Sequence, residues 1–297
     1  MRTSGAYTRG GHKVVLERLG IITDEVSDDL NEGLDFAAKH GLSHVEIRSV
    51  GGSNVLSLGD DEIVSIRQRV HEHGLFVSCL ASPVFKCALH PARVIARGDM
   101  FGASEGTVLQ HFLLLERALT VARLLGTNKI RVFSFWREQD PSSCAQEISR
   151  HLTRASEMAE SAGVTLLLEN EPTCNGGFAG EIADIIRTVN SPSLSALWDP
   201  GNEVYGGKES PLEGYCRVRS VIKHVHLKDA RINSAGHPEC LPIGRGSVPF
   251  AKQLAMLVDD GYQGLFTLEP HYVPDGGTKK QGCEEALAGL VELLRDL

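Results

Sequence analysis

The chain has 297 residues, of which 42% are hydrophobic and 23% are charged, and its formal net charge is −8. This length suits one large α/β barrel or two smaller domains. The acidic balance argues against nucleic acid as the main partner, because binding phosphates requires a basic face. No apolar run in the sequence approaches the roughly 18 residues of a membrane span, so no membrane association is expected.

The first 13 residues differ from the rest of the chain. They combine Arg2, Arg9 and Lys13 with Gly and Ser and contain no apolar core, which predicts a flexible tail over 1–13 before a single domain over 14–297. The seven cysteines are scattered and form no Cys-x-x-Cys pair. Neither a disulfide framework nor a cysteine-based zinc site is therefore indicated, and a cytoplasmic location is expected.

Taken in chain order, short apolar segments alternate with segments of helical periodicity. The predicted strands cover 19–23, 44–48, 75–80, 129–134, 164–172, 194–199, 221–227 and 264–269. Helices are predicted over 30–38, 63–70, 107–125, 143–163, 182–189, 250–258 and 287–294. The irregular segment 81–106 has the length of a lid or binding loop.

Eight strands that alternate with helices predict an α/β protein, a single-domain (β/α)8 TIM barrel. An open doubly wound sheet is the alternative, but no G-x-G-x-x-G follows the first strand.

Four successive predicted strands end in residues that bind metals, namely Glu169, Asp199, His226 and Glu269. Because the carboxyl ends of barrel strands meet at one mouth, we expect these side chains to converge. Three carboxylates in a partly dry pocket repel one another, and a divalent cation offsets that repulsion. One imidazole with three carboxylates suits Mn²⁺ first, with Mg²⁺, Co²⁺ and Zn²⁺ as alternatives. Each residue alone has an ordinary explanation, such as a salt bridge or a hydrogen-bonded core histidine.

Five sequence motifs carry a family resemblance. They are Leu168-Glu-Asn-Glu171, Trp198-Asp-Pro-Gly-Asn202, His224-Val-His-Leu-Lys-Asp229, Pro242-Ile-Gly-Arg-Gly246 and Leu268-Glu-Pro270. Together they resemble the sugar isomerase/epimerase superfamily with the xylose isomerase-like TIM barrel, which includes ketose 3-epimerases, hydroxypyruvate isomerase, inosose dehydratase and endonuclease IV. The resemblance implies that Glu169, Asp199, His226 and Glu269 bind the metal. It also implies that the two glutamates move the proton.

Further residues are predicted to contact the substrate. Arg231 lies one position from the substrate-binding arginine of the ketose epimerases, whereas Asn202 stands where those enzymes place a histidine. The remaining candidates near strand ends, each with structural pairing or packing as its ordinary alternative, are Glu46, Phe85, Trp136 and Lys228.

The resemblance implies a divalent-metal-dependent isomerase or epimerase that acts on a small keto-sugar or polyol ketone through an enediolate. A lyase or dehydratase that uses the same enolate chemistry is the first alternative. A nuclease similar to endonuclease IV and a non-catalytic sugar-binding subunit are further alternatives. The expected partner is a small-molecule sugar, and related barrels suggest a homo-oligomer.

Overall fold

The computed structural model describes residues 11–207 and 210–295. Within these ranges, eight parallel strands close into a barrel in which each strand pairs with its sequence neighbours and the last pairs with the first. The strands are β1 (Leu19–Ile22), β2 (His44–Ile47), β3 (Phe76–Leu80), β4 (Lys129–Val132), β5 (Thr165–Glu169), β6 (Leu194–Trp198), β7 (Ile222–Leu227) and β8 (Leu265–Leu268). The predicted single-domain (β/α)8 barrel is confirmed.

A helix follows each barrel strand and packs on the outside of the barrel. These helices are α1 (Leu30–Lys39), α2 (Asp60–Glu72), α3 (Val108–Leu125), α4 (Ala145–Ser161), α5 (Ala179–Val189), α6 (Pro211–Val218), α7 (Phe250–Asp259) and α8 (Lys279–Arg295). Local sequence explains their ends. In α3, for example, Thr107 and Gln110 form a capping box, and Gly126 closes the helix in the left-handed conformation. Within the described ranges, none of the helices has the length and apolar character that a membrane crossing requires.

Several short elements lie between the main ones. Single helical turns or short helices cover Gly11–Glu17, Thr23–Val26, Val55–Ser57, Pro141–Cys144, Pro200–Gly206 and Arg219–Val221. Two hairpins pair Ser49–Val50 with Ser53–Asn54, and Asp229–Ile232 with Pro238–Leu241. The predicted tail over 1–13 lies mostly outside the described residues, and residues 11–13 form the start of the first short helix.

The barrel interior is divided into an apolar half and a polar half. Cys79, Leu167 and Leu197 fill one side, from β3, β5 and β6. The other side holds a hydrogen-bonded set that we call the polar column, consisting of His44, Glu46, His224 and Thr267. Gly20 on β1 makes room for this column, because a Cβ there would lie 2.3 Å from the His44 ring. Barrel interiors are usually filled with branched apolar residues, so a polar half requires a functional explanation.

Candidate active site

The carboxyl ends of β5 to β8 bring four predicted metal ligands together. Glu169 is the last residue of β5, Asp199 follows β6, His226 lies near the end of β7, and Glu269 follows β8. All four side chains are buried, and each offers one ligand atom such that these atoms lie within 4.8 Å of one another. The sequence-based expectation that these residues converge agrees with this geometry.

Each of the two glutamates divides its oxygens between a cation and His226. Glu269 Oε1 accepts hydrogen bonds from Arg48 and Arg131, both at 3.1 Å, while its Oε2 lies 3.1 Å from His226 Nδ1. Glu169 Oε2 lies 3.3 Å from Arg131 Nη1, and its Oε1 lies 3.5 Å from the same His226 nitrogen. The arginines therefore hold one oxygen of each glutamate and leave the other facing the imidazole.

His226 is oriented from behind by Glu46 of the polar column. Its Nε2 lies 3.1 Å from Glu46 Oε1, and that oxygen also lies 2.6 Å from His224 Nε2. Burial alone would lower the pKa of His226, but Glu46 and Glu269, with hydrogen bonds to Glu169 and Glu269, raise it well above its usual value. A carboxylate that binds one ring nitrogen and leaves the other facing a ligand set is a typical arrangement at metal-binding histidines.

Asp199 completes the cluster under different constraints. Its Oδ2 lies 2.7 Å from Lys228 Nζ, and its Oδ1 accepts from the backbone N–H of Asn202 at 3.1 Å. Burial raises the pKa of Asp199 to about 6 against the opposing effect of Lys228, and the charges of Glu169 and Glu269 add to the increase. The carboxylates therefore repel one another, as three converging acids should.

A pair of asparagines fixes the loops that carry Glu169 and Asp199. Asn170 donates to the Asp199 carbonyl at 2.8 Å and accepts from the Asp199 N–H at 2.9 Å. Asn202 in turn donates to the Asn170 carbonyl at 2.7 Å. Asn202 was predicted to contact the substrate, whereas here its side chain joins the two loops.

The donor set fits one divalent cation. Three carboxylates and one imidazole nitrogen converge, the histidine is held by a carboxylate on its other nitrogen, and the mutual repulsion of the acids would be relieved by a positive ion. Glu169, Asp199, His226 and Glu269 would hold the ion.

Comparison with known proteins identifies the family. The sequence profile of the family described as Xylose isomerase-like TIM barrel matches residues 34–293. The chain belongs to this family.

Individual relatives within the xylose isomerase-like family have low sequence identity to this chain and match only part of it. A fructoselysine 3-epimerase of Escherichia coli O157:H7 is 25% identical over 128 residues, which are 41% of this chain and 44% of that protein. An inosose dehydratase of Bacillus thuringiensis is 25% identical over 137 residues, 41% of this chain and 46% of the relative. The chain thus matches less than half the length of each. The structure of the IOLI protein with a zinc atom superposes with a TM-score of 0.73 at 17% identity, over 94% of this chain and 98% of that one.

The remaining predicted substrate contacts lie in different places around this xylose isomerase-like barrel. Lys228 contacts the cluster directly, and Glu46 lies behind His226. Phe85 is fully buried and packs against Phe112 and Phe135, so the structure does not bring it to the mouth. Arg231 lies on the exposed hairpin and pairs with Glu239.

Trp136 is almost fully buried and lies beside the mouth rather than in the cluster. Its ring lies 5.8 Å from Lys86 Nζ, and its Nε1 donates to Glu105 at 3.2 Å. It therefore contacts two residues of the long segment 81–106.

Sequence reasoning missed three residues that shape the site. Arg48 directly follows β2 and Arg131 lies inside β4, and the acidic partners that the structure gives these two residues at the site were not inferred from the sequence. Asn170 lies between Glu169 and Glu171, and its residue type alone does not indicate the contacts that it makes with Asp199. The signal for the arginines was present, because a charged residue within or at the end of a buried strand requires a buried counter-charge.

Proposed function

We propose that this protein is a divalent-metal-dependent isomerase or epimerase of a small keto-sugar or polyol ketone. The observation that carries the proposal is the placement of Glu169 and Glu269. Their carboxylates approach the same His226 nitrogen from the ends of β5 and β8, two strands that β6 and β7 separate in the barrel. Two carboxylates beside one metal position are what is needed to remove a proton from carbon and return it elsewhere. The cation we favour is Mn²⁺, with Mg²⁺, Co²⁺ and Zn²⁺ as alternatives.

The residues of the chain divide the chemistry among them. One glutamate removes the proton from the carbon beside the substrate carbonyl, and the other returns a proton to the opposite face or to the adjacent carbon. A bound divalent ion supplies electrostatic stabilisation of the negative charge that develops on the enediolate oxygens. Arg48 and Arg131 keep the glutamate carboxylates oriented, and the buried surroundings exclude water from the reacting carbon.

The cations around Glu269 favour its ionised form. Burial alone would raise its pKa, but Lys228, His226 and His271 lower it well below the usual value. In the metal-free protein Glu269 is therefore held as the carboxylate, which is the form that both a base and a metal ligand require. Glu169 has one guanidinium neighbour, Arg131. The two glutamates thus differ in environment, as an acid and a base in one mechanism commonly do.

A lyase is the second candidate function, and the partial similarity to inosose dehydratase favours it. Removal of the same α-proton would give the same enediolate, after which a leaving group on the β-carbon departs instead of the proton returning. Both reactions begin with the same step, and the cluster is suited to that step.

Proton exchange in D₂O tests the proposal. Metal-loaded protein is incubated with D-fructose, D-allulose, D-tagatose and inosose, and deuterium at the carbon beside the carbonyl is measured by NMR. Exchange with recovery of a sugar supports the isomerase or epimerase, and exchange with elimination supports the lyase. Absence of exchange with every ketone, while the metal is bound, would contradict both.

A further inference from the structure

The ring of Phe101 lies over the barrel mouth among three cationic side chains. The ring centre is 4.5 Å from the guanidinium carbon of Arg48, 5.1 Å from that of Arg131 and 4.4 Å from Lys86 Nζ. On another side the ring stacks with His271 at 6.3 Å between centroids. Both arginines also bind the glutamates of the cluster, so the phenyl ring lies next to the side chains that are proposed to act on the substrate.

A specific turn holds Phe101 there. The Phe101 N–H donates to Asp99 Oδ1 at 2.7 Å, and its carbonyl accepts from Ser49 Oγ at 3.1 Å and Asn54 Nδ2 at 3.0 Å. Phe101 has a φ of 51°, in the left-handed region that non-glycine residues rarely adopt. Such a conformation persists only when its contacts enforce it, so the turn is a built feature of the mouth.

The turn supplies a hydrogen-bond acceptor for the buried ammonium group of Lys86. Its side chain is buried, with Nζ between the faces of Phe101 and Phe133, both at 4.4 Å. The ammonium donates to the Asp99 carbonyl at 3.1 Å and lies 3.5 Å from Glu171. A buried ammonium needs oxygen partners. A neutral backbone oxygen from the turn thus completes the contacts of Lys86.

The other cations at the mouth are already paired with acids. Arg48 binds Asp24, Glu25 and Glu269 through three different nitrogens. Arg131 binds Glu169 and Glu269 and also donates to the backbone carbonyls of residues 81 and 82. Lys228 pairs with Asp199. Among the described residues at the mouth, every guanidinium nitrogen of Arg48 and Arg131 therefore already has an oxygen partner, which weakens the attraction of either group for a phosphate or carboxylate. A substrate anion near Lys86 would also face the charge of Glu171.

We infer that the Asp99–Phe101 turn occupies the substrate position and that the substrate displacing it is an uncharged, polyhydroxylated ketone. A substrate hydroxyl replaces the Asp99 carbonyl at Lys86, and further hydroxyl oxygens of the sugar replace the electron-rich face of the Phe101 ring beside Arg48 and Arg131. The inference rests on the proposed function and narrows it to neutral sugars, excluding sugar phosphates and sugar acids. It also assigns Lys86 as a substrate-binding residue.

Equilibrium binding distinguishes these substrate classes. Metal-loaded protein is titrated with two neutral ketoses, D-fructose and D-allulose. It is also titrated with two anionic ketones, 5-keto-D-gluconate, which has a similar size, and D-fructose 6-phosphate, which is larger. Trp136 reports displacement of the turn by its fluorescence, because it contacts Lys86 and Glu105 of the same segment. We expect saturable signals with the neutral ketoses and binding of the anions at least ~10-fold weaker. Equal or tighter binding of the anions, or no binding of either neutral ketose, overturns the inference.

Three variants test the parts of the inference. Phe101→Ala removes the competing ring, so neutral ketoses should bind ~3- to 10-fold more tightly, because less of the protein is in the blocked state. Lys86→Met keeps the buried chain but removes the donor, so their binding should weaken by about 10-fold or more. Val94→Ala, at an exposed position of the same segment, is the matched control and should bind as the wild type does. Weaker binding by Phe101→Ala would instead identify Phe101 as a lid over bound ligand and overturn the inference.

The outcome is separable from that of the proposed function. Neutral ketoses that bind and displace the turn without α-proton exchange would contradict the proposed chemistry and leave the inference intact. Exchange of the α-proton with a preference for anionic ketones would support the proposed chemistry and contradict the inference. Melting temperatures of all three variants establish that they are folded before binding is compared.

Discussion

Glu169 and Glu269 show how a single side chain can serve two partners. In each, one oxygen is held by an arginine while the other faces His226. The guanidinium fixes the carboxylate plane, so the oxygen that remains has a defined direction. Such preorganisation matters because a base displaced by about 1 Å can lose ~10²-fold in rate.

Replacement of either glutamate by glutamine tests its proton chemistry. The amide oxygen can still contact a metal but the side chain cannot take up a proton, so turnover of the exchanged ketose should fall ~10²- to 10⁴-fold, the range that general acid–base catalysis supplies. Metal content is measured in parallel. Glu147→Gln, at a half-buried position paired with His90 outside the site, is the control and should retain turnover. Near-normal turnover in Glu169→Gln or Glu269→Gln with metal bound would mean that the proton is moved by other residues.

At the residue scale, the sequence was sufficient for residues of a metal-binding type that lie at the end of a predicted strand. The carboxyl ends of barrel strands meet at one mouth, so side chains at these ends lie close together. This is why one group could be predicted from Glu169, Asp199, His226 and Glu269. Phe85 and Arg231 could not be placed, because each belongs to a connection whose path depends on tertiary contacts. Phe85 packs into the core beside α3, and Arg231 pairs across a hairpin that the sequence did not reveal.

At the scale of elements, the strands β2, β7 and β8 supply the residues of the polar column. Glu46 from β2 contacts both His226 and His224 from β7, and Thr267 from β8 bridges His224 and His44. All members of the column are fully buried. Its upper end touches a candidate metal ligand, which explains why a barrel interior would carry polar residues at all.

Removing the charge of Glu46 should weaken metal binding. Glu46→Gln no longer favours the His226 tautomer that donates from Nε2 and leaves Nδ1 for the metal, and loss of such outer partners typically costs about 10- to 100-fold in metal affinity. Calorimetric titration of metal-free protein with Mn²⁺ measures the change. His44→Gln, at the far end of the same column, should alter affinity less. A lower melting temperature with unchanged affinity would show that the column only supports the fold.

Element prediction succeeded where periodicity was strong and failed where elements are short. The barrel strands were placed because buried parallel strands are continuous apolar runs between clear helices. Between Asp199 and strand β7 no helix was predicted, yet Pro200–Gly206 and Pro211–Val218 are both helical. Each begins with proline at its first turn, which favours the start of a helix, but neither is long enough to show a periodic pattern.

At the scale of the whole molecule, charges of both signs are concentrated at the carboxyl end of the barrel. Asp24 and Glu25 approach Arg48 from the start of the chain, and His271 approaches Glu25 from its end at 3.1 Å. Burial alone would lower the pKa of His271, but Glu25 and Glu269 raise it to about 9. The first and last barrel strands are therefore joined by ionic contacts as well as by backbone pairing.

Metal binding should consequently raise the melting temperature of the protein. Chelated protein reloaded with Mn²⁺ should saturate near one equivalent per chain, and saturation near three would favour a multi-metal nuclease. A site filled at 1,000 times its dissociation constant stabilises the fold by about 4 kcal/mol, which is measurable as an increase in melting temperature. Asp199→Asn should reduce that increase at limiting Mn²⁺ and recover it at high Mn²⁺.

The increase in melting temperature should also depend on pH. In metal-free protein the pKa of Asp199 is raised to about 6, above the unfolded value of about 3.9. The folded state therefore binds more protons than the unfolded state between these values, and the contribution of Asp199 to stability is lost as pH rises through 6. A metal requires the ionised carboxylate and competes with the proton at His226 as well. Metal should thus stabilise the protein more at pH 7 than at pH 5, as measured by paired thermal melts, and an equal shift at both pH values would exclude Asp199 and His226 as ligands.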